Sequence, residues 1–510
     1  MKQWQIGEIR NGYEVLPKER RKKVLLLCDD IRTHSGIATM GREIIFQTCH
    51  HFNWVNLGAL IKHPESGKQI DLSQSTSDVT GVPDLDIKIY PNDGYGNPDL
   101  LRLLMTRESP DAIMHYTDPR FWAWLYQMEN EIRQTTPILY YNIWDDLPYP
   151  KYNKQAYASS DLIMNISKQT LNIVKNVLGD NNVHEIYRDG NVNRTKKPDF
   201  VDAPVRVSYV PHGINSETFY PVDKTDSKYM AFKDTVLKSK DYDFIILYNN
   251  RNIRRKMPTD LMMVYKFFCE EIGEEKAKKC LLLYKTTPID NNGTDLPTCK
   301  KDLGLENLNV SFLHQSLTPE TMNYLYNMVD VTIGISSAEG FGLATAESVM
   351  AGTPIIVNAI GGLQDQCRFE NENGDWIGFN TNHPTNSDKR YTKCGSWAFP
   401  VWPQLNMVGS PPTPYIYDSR AGIADIWTQL MKVYELDWIE RRTFALEGRA
   451  WMMTEECGMS AKEMGRRVIN DITYTMKLWK PRERMCIVKA THKGIPSKTG
   501  VYNPIKKEWE

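Results

Sequence analysis

Short, wholly apolar runs with polar flanks recur along this chain, and they limit its fold more than any other feature. The first is Val24-Leu25-Leu26-Leu27-Cys28. A run without apolar–polar alternation reads as a strand buried on both faces, which needs helices above and below it. A loop, Asp29 to Ser35, follows, and Gly36 then opens a predicted helix through Gln47. Further strands are predicted at residues 112–114, 137–141, 161–165 and 207–210, with Ser167 as the N-cap of a helix over 168–178. Strands alternating with helices predict a parallel sheet covered on both sides.

After a polar, Lys- and Asp-rich stretch at 222–242, a second series begins at Phe244–Tyr248 and continues at 280–284, 310–313, 331–335 and 354–357. The fold class is therefore read as α/β, with two Rossmann-like domains facing across a cleft. The predicted limits are 1–218 for the first domain and 219–458 for the second. Residues 459–510 are read as a terminal helix and a basic tail. Residues 365–418, rich in Asn, Pro, Gly and Trp, are expected to be an irregular insertion. Ligands of such sheets bind beyond the carboxyl ends of the strands, which places the site in the cleft.

With 62 basic and 63 acidic residues among 510, no global field selects a polyanionic partner. The ends differ: residues 1–23 carry seven basic and three acidic side chains, and residues 477–510 carry nine and three. They read either as solvated termini or as edges that meet an anionic acceptor. Nine irregularly spaced cysteines without a Cys-x-x-Cys pair predict no zinc or redox motif and a reducing compartment. The N-terminus has no apolar core of a signal peptide, and no run of about 18 apolar residues occurs, so a cytoplasmic location (host cytoplasm if viral) is expected.

The most informative stretch is Ser336-Ser337-Ala338-Glu339-Gly340-Phe341-Gly342-Leu343-Ala344-Thr345-Ala346-Glu347. A buried strand ends near Ile335, a glycine turn follows, and a helix is predicted from Leu343. Free amides at that helix start, with the macrodipole, suit a phosphate. Gly340 and Gly342 allow a ligand close to the backbone. Glu339 on the loop can accept hydrogen bonds from sugar hydroxyls, and Glu347, a turn into the helix, can reach a ribose diol. The plain alternative is an ordinary strand–turn–helix with two solvated glutamates. Ala351-Gly352-Thr353-Pro354 and a second glycine turn, Ile360-Gly361-Gly362-Leu363, argue against it.

This segment resembles the retaining glycosyltransferases of family four, which have the two-domain GT-B fold. Their hallmark is a Glu, seven residues and a second Glu, followed by A-x-G-x-P and G-G. The resemblance implies that Glu339 contacts the donor sugar and Glu347 the ribose, with the amides of Gly340, Phe341, Gly342 and Leu343 on diphosphate or sugar oxygens. It also implies roles for Arg251 and Lys256, which have the family's five-residue spacing, against the donor diphosphate. Fixed cations there stabilise charge on the leaving group. Tyr209-Val210-Pro211-His212-Gly213 resembles the segment that closes the first domain, with His212 read as structural. Gly36 stands for the family's Gly-rich turn after the first strand, with His34 on the acceptor side. Members commonly return the last helix to the first domain, as residues 459–478 are expected to do.

One position departs from the pattern. Where many members have His-Asp-x-x-Pro, this chain has Trp144-Asp145-Asp146-Leu147-Pro148. Trp144 replaces the sugar-contacting His, Asp145 remains as a cleft carboxylate, and His115 is a candidate for the missing imidazole. The resemblance implies retention and no metal or other cofactor. Without a second carboxylate nucleophile, front-face transfer is expected. The donor is read as a nucleotide sugar, UDP-linked, and the acceptor as a glycan or other metabolite. Two alternatives stay open: a viral-type DNA glycosyltransferase placing glucose or arabinose on hydroxymethylated pyrimidines, and a non-catalytic sugar-binding scaffold.

Overall fold

The structure, a computed structural model, describes residues 2–186, 205–377, 393–411 and 413–482, with the backbone of 502–503 and 508–509. The basic segment 483–501 and residues 378–392 of the expected insertion lie outside the described residues.

The first sheet has nine strands. In chain order they are β1 (Lys22–Asp29), β2 (Phe52–Leu60), β3 (Ile70–Asp71), β4 (Ile87–Asp93), β5 (Ala112–His115), β6 (Ile138–Asn142), β7 (Leu162–Asn165), β8 (Val183–Glu185) and β9 (Val205–Tyr209). Their spatial order is β8-β9-β7-β6-β5-β1-β2-β4-β3, and every pair but β3–β4 is parallel. The second sheet holds β10 (Phe244–Asn249), β11 (Cys280–Lys285), β12 (Val310–Leu313), β13 (Val331–Gly334), β14 (Ile355–Asn358) and β15 (Ala398–Val401). Its order is β12-β11-β10-β13-β14-β15. The order reverses beside β1 in one sheet and beside β10 in the other, and a crevice opens at each reversal.

Strand periodicity explains the burial. Val24, Leu26 and Cys28 of β1 enter one apolar cluster, and Leu25 and Leu27 enter another on the opposite face. Burying each such side chain contributes about 1.5–3 kcal/mol. Strands β2 and β4 were not predicted from the sequence. In β2, Asn53 and Asn56 interrupt the apolar run, yet both are buried: the Asn53 amide donates to Lys18 O (3.0 Å) and the Asn56 amide to Leu26 O (3.2 Å). A buried amide is tolerated where its hydrogen bonds are made, and only the folded neighbours supply them here.

The helices of the two domains include α1 (Gly36–Thr48), α2 (Lys168–Leu178), α3 (Pro258–Ile272), α4 (Pro319–Met328), α5 (Leu343–Met350), α6 (Gly361–Cys367) and α7 (Ala461–Leu478). Ser35 caps α1 by accepting from Ala38 N (3.0 Å), and Ser167 caps α2 by accepting from Thr170 N (3.0 Å). The terminal helix α7 packs on α1 and β7 of the first sheet, as expected. It is fixed there by Ile214, which donates to Met459 O (2.8 Å) and accepts from Ala461 N (2.9 Å). A methyl on Gly213 would lie 2.5 Å from Ala461 Cα, so this approach requires glycine.

Residues 365–418 are expected as an irregular insertion, yet their described part is partly regular. They include β15 and a two-stranded hairpin, β16 (Gln404–Ser410) with β17 (Thr413–Arg420). Asn, Pro and Gly hid this order because the hairpin joins neither large sheet and shows no buried alternation. Among the described residues, no helix is long and apolar enough to cross a membrane.

Candidate active site

Three loops at the carboxyl ends of β10, β13 and β6 converge. The loop after β10 carries Lys256, which is buried, and its ammonium is ion-paired with the Glu339 carboxylate on the loop after β13. Ser336 Oγ also donates to Glu339 Oε2 (3.0 Å). Burial pushes Glu339 up, but Lys256, then Arg255, hold it below the ordinary glutamate value. Burial lowers Lys256, and Glu339 only partly offsets that. The carboxylate is thus kept ionised at neutral pH by its partners.

Helix α5 begins one turn beyond Glu339. Gly342 precedes it at φ +87° and no side chain caps it, so its first amides keep their capacity to bind an anion. Glu347, within α5, accepts from the Tyr326 hydroxyl of α4 (2.7 Å), and that hydroxyl accepts from Asn249 Nδ2 at the end of β10 (2.7 Å). Burial raises the Glu347 carboxyl to about 7.

The second glycine turn is explained by packing. Gly362 N donates to Gly340 O (3.1 Å), and a methyl on Gly362 would lie 2.5 Å from that oxygen. A methyl on Gly361, at φ +46°, would collide with Glu339 O. These glycines let α6 press against the Glu339 loop and fix its path.

The first domain contributes Asp145. Its Oδ2 would lie 3.8 Å from a methyl on Gly340, and burial raises its carboxyl to about 6, with Arg255 opposing and Glu339 adding to the rise. Gln169 of α2 tightens this junction: its Oε1 accepts from Gly361 N (3.2 Å) and Gln364 Nε2 (2.9 Å), and its Nε2 donates to Asp145 O (2.5 Å). Gly36 also reaches across, and a methyl there would lie 3.5 Å from Leu343. Phe341 is buried against His212, with ring centroids 5.1 Å apart.

Two sequence-based expectations need correction, those for His115 and Trp144, and the structure places two further candidates, Arg251 and His34. His115 supplies no imidazole to the cleft: it is fully buried, bonded to the Tyr126 hydroxyl (2.7 Å) and Thr117 Oγ1 (3.1 Å), and stacked on Tyr140. Its strand ends in a core of aromatic rings that periodicity does not reveal. Trp144 does not face the donor loop either. Its indole donates to Asp146 O (3.0 Å), and the ring packs in the first-domain core beneath Arg120, which leaves the cleft to Asp145. Arg251 is exposed and held by Asp290 (2.9 Å), while Arg255 donates to Ala338 O, next to Glu339 in the chain. His34 is exposed on the loop before α1.

His212 is structural, as expected. Its ring nitrogens meet the buried hydroxyls of Tyr116 (3.3 Å) and Tyr141 (3.0 Å), and burial lowers it to about 3. Sequence reasoning missed Tyr326, Ser336, Asn249, Gln169 and Arg255. Arg255 lies inside the basic run 254–256 and Ser336 opens the segment 336–347, and both runs carried a signal; Tyr326, Asn249 and Gln169 join the site only through tertiary packing.

Residues 235–384 match the family model described as Glycosyl transferases group 1. An uncharacterized glycosyltransferase of Methanocaldococcus jannaschii is 36% identical over 69 residues, a stretch that spans 14% of this chain and 16% of that protein. Sucrose-phosphate synthase from Thermosynechococcus elongatus is 14% identical, with a TM-score of 0.59 over 90% of this chain and 100% of the other. Anabaena HepE in complex with UDP-glucose is 12% identical, with a TM-score of 0.57 over 89% of this chain and 99% of the other. At these identities the likeness to solved structures is one of fold. The chain therefore has the GT-B glycosyltransferase fold, and its residues 235–384 are similar to the glycosyl transferases group 1 family.

Proposed function

We propose that this protein transfers a sugar from a nucleoside diphosphate sugar to an acceptor hydroxyl, with retention at the anomeric carbon. The observation that carries the reading is the meeting of Lys256 and Glu339 beside the uncapped start of α5. Lys256 and the α5 amides take the charge that grows on the leaving diphosphate. Glu339, held ionised, accepts from hydroxyls of the donor sugar, and Glu347 accepts from the ribose. The bond between the anomeric carbon and the diphosphate oxygen breaks, and its electrons stay on that oxygen. The acceptor oxygen bonds to the same face of the carbon, and its proton passes to the departing phosphate oxygen. Positioning and electrostatics supply the rate, and the step needs no resident cofactor.

A uridine donor is the first to try, because HepE, of the same fold, is described with UDP-glucose. A glycan or metabolite hydroxyl is the acceptor class we favour. Eight described cysteines are free thiols, which suits the cytoplasm. The test is a panel of nucleotide sugars assayed for hydrolysis and thermal stabilisation, with Glu339→Ala as control. One donor that stabilises the wild type and not the variant supports transfer. No stabilisation by any donor at millimolar concentration would refute it and favour a scaffold.

A further inference from the structure

The hairpin β16–β17 leaves the second domain after β15 and grips the first. Tyr417 N donates to Leu147 O (2.7 Å). The Tyr415 hydroxyl donates to Tyr149 O (3.2 Å) and accepts from Lys151 N (3.3 Å), and the Tyr152 hydroxyl donates to Tyr415 O (3.0 Å). The rings of Tyr152 and Tyr415 meet edge to face at 5.2 Å, and Arg120 donates to Thr413 Oγ1. Ile416 and Tyr417 pack on the cluster that contains Trp144 and Leu147.

The other end of β17 is tied to the donor loop. Ser419 N donates to Ser337 O (3.2 Å), and Asn358 Nδ2 donates to Ser419 O (2.7 Å). Ser337 is two residues from Glu339, and Leu147 is two residues from Asp145. One short strand therefore links the backbone behind Glu339 to the backbone behind Asp145. The segment it grips, residues 143–150, has no ladder of its own. Without the hairpin, the placement of Asp145 against Gly340 would rest on Gln169 and on the packing of Trp144 within the first domain. Displacements of about 1 Å in such a constellation can cost on the order of a hundredfold in rate.

We propose that the hairpin is a positioning element, in which Tyr415 and Tyr417 hold the Asp145 loop against the Glu339–Lys256 pair. Its kinetic consequence rests on the transfer reading above, whereas its mechanical part does not. Tyr415→Phe removes the hydroxyl and its two backbone hydrogen bonds but keeps the ring. Donor turnover by this variant should show kcat lower by roughly tenfold, with the donor KM within about twofold of wild type. Because Tyr415 acts through Asp145, the Tyr415→Phe, Asp145→Asn double variant should lose no more than Asp145→Asn alone. Hydrogen exchange of the ligand-free protein should be faster over residues 147–152 in Tyr415→Phe. Losses that multiply in the double variant, or unchanged protection of 147–152, would overturn the proposal. Faster exchange in a protein whose wild type turns over no donor would instead sink the transfer reading, and the kinetic role with it.

Discussion

Glu347→Gln should stabilise the ligand-free protein at alkaline pH while weakening its nucleotide site. The Glu347 carboxyl rises from its ordinary 4.5 to about 7 because burial disfavours the charge, and the Tyr326 hydroxyl only partly offsets this. A raised carboxyl favours the folded state in its protonated form. That contribution is complete below 4.5 and is lost as pH climbs to about 7, beyond which the folded protein carries the whole cost of an ionised side chain. A rise of that size corresponds to about 3 kcal/mol. Glu347 is partly exposed, so solvent screening brings the expected value to about 2 kcal/mol. Glutamine has no proton to lose and can still accept from Tyr326. Thermal melts at pH 5 should therefore nearly coincide, and at pH 8 the variant should melt about 2 °C higher. At pH 8 its affinity for the nucleoside diphosphate should fall about tenfold, because a charged acceptor for the ribose is gone. Equal melting differences at pH 5 and pH 8 would refute the reasoning, since they would mean that Glu347 does not titrate across this range.

Two further substitutions test the site's architecture. Gly361→Ala drives a methyl into Glu339 O and should abolish donor turnover with a loss of about 3 kcal/mol or more; a well-folded, active variant by melting and hydrolysis would contradict the packing role of this turn. His212→Leu strands the hydroxyls of Tyr116 and Tyr141 in the core and should cost about 2–4 kcal/mol in urea unfolding at pH 8 and less at pH 5, because the imidazole stays neutral in the fold but takes up a proton below its ordinary 6.5 once unfolded, which weakens the wild type alone; a loss of nucleotide affinity at unchanged stability would mean that His212 serves the donor instead.

The sequence by itself determined the α/β class, the two series of buried strands and the segment from Glu339 to Glu347. These are local matters: apolar runs such as Val24–Cys28 must be covered on both faces, and a glycine turn before a helix start exposes amides wherever it occurs. Only the tertiary structure decided which side chains share the site. Trp144 and Asp145 are neighbours in sequence, but one enters the core under Arg120 and the other faces Gly340, a choice set by what packs on each side of the loop. His115 looked free at the end of its strand and is enclosed by Tyr126 and Tyr140, which lie on separate elements. The hairpin was illegible for the same reason: its partners, the backbone at 147–151 and the Tyr152 hydroxyl, lie more than 250 residues away, and no local pattern records such contacts.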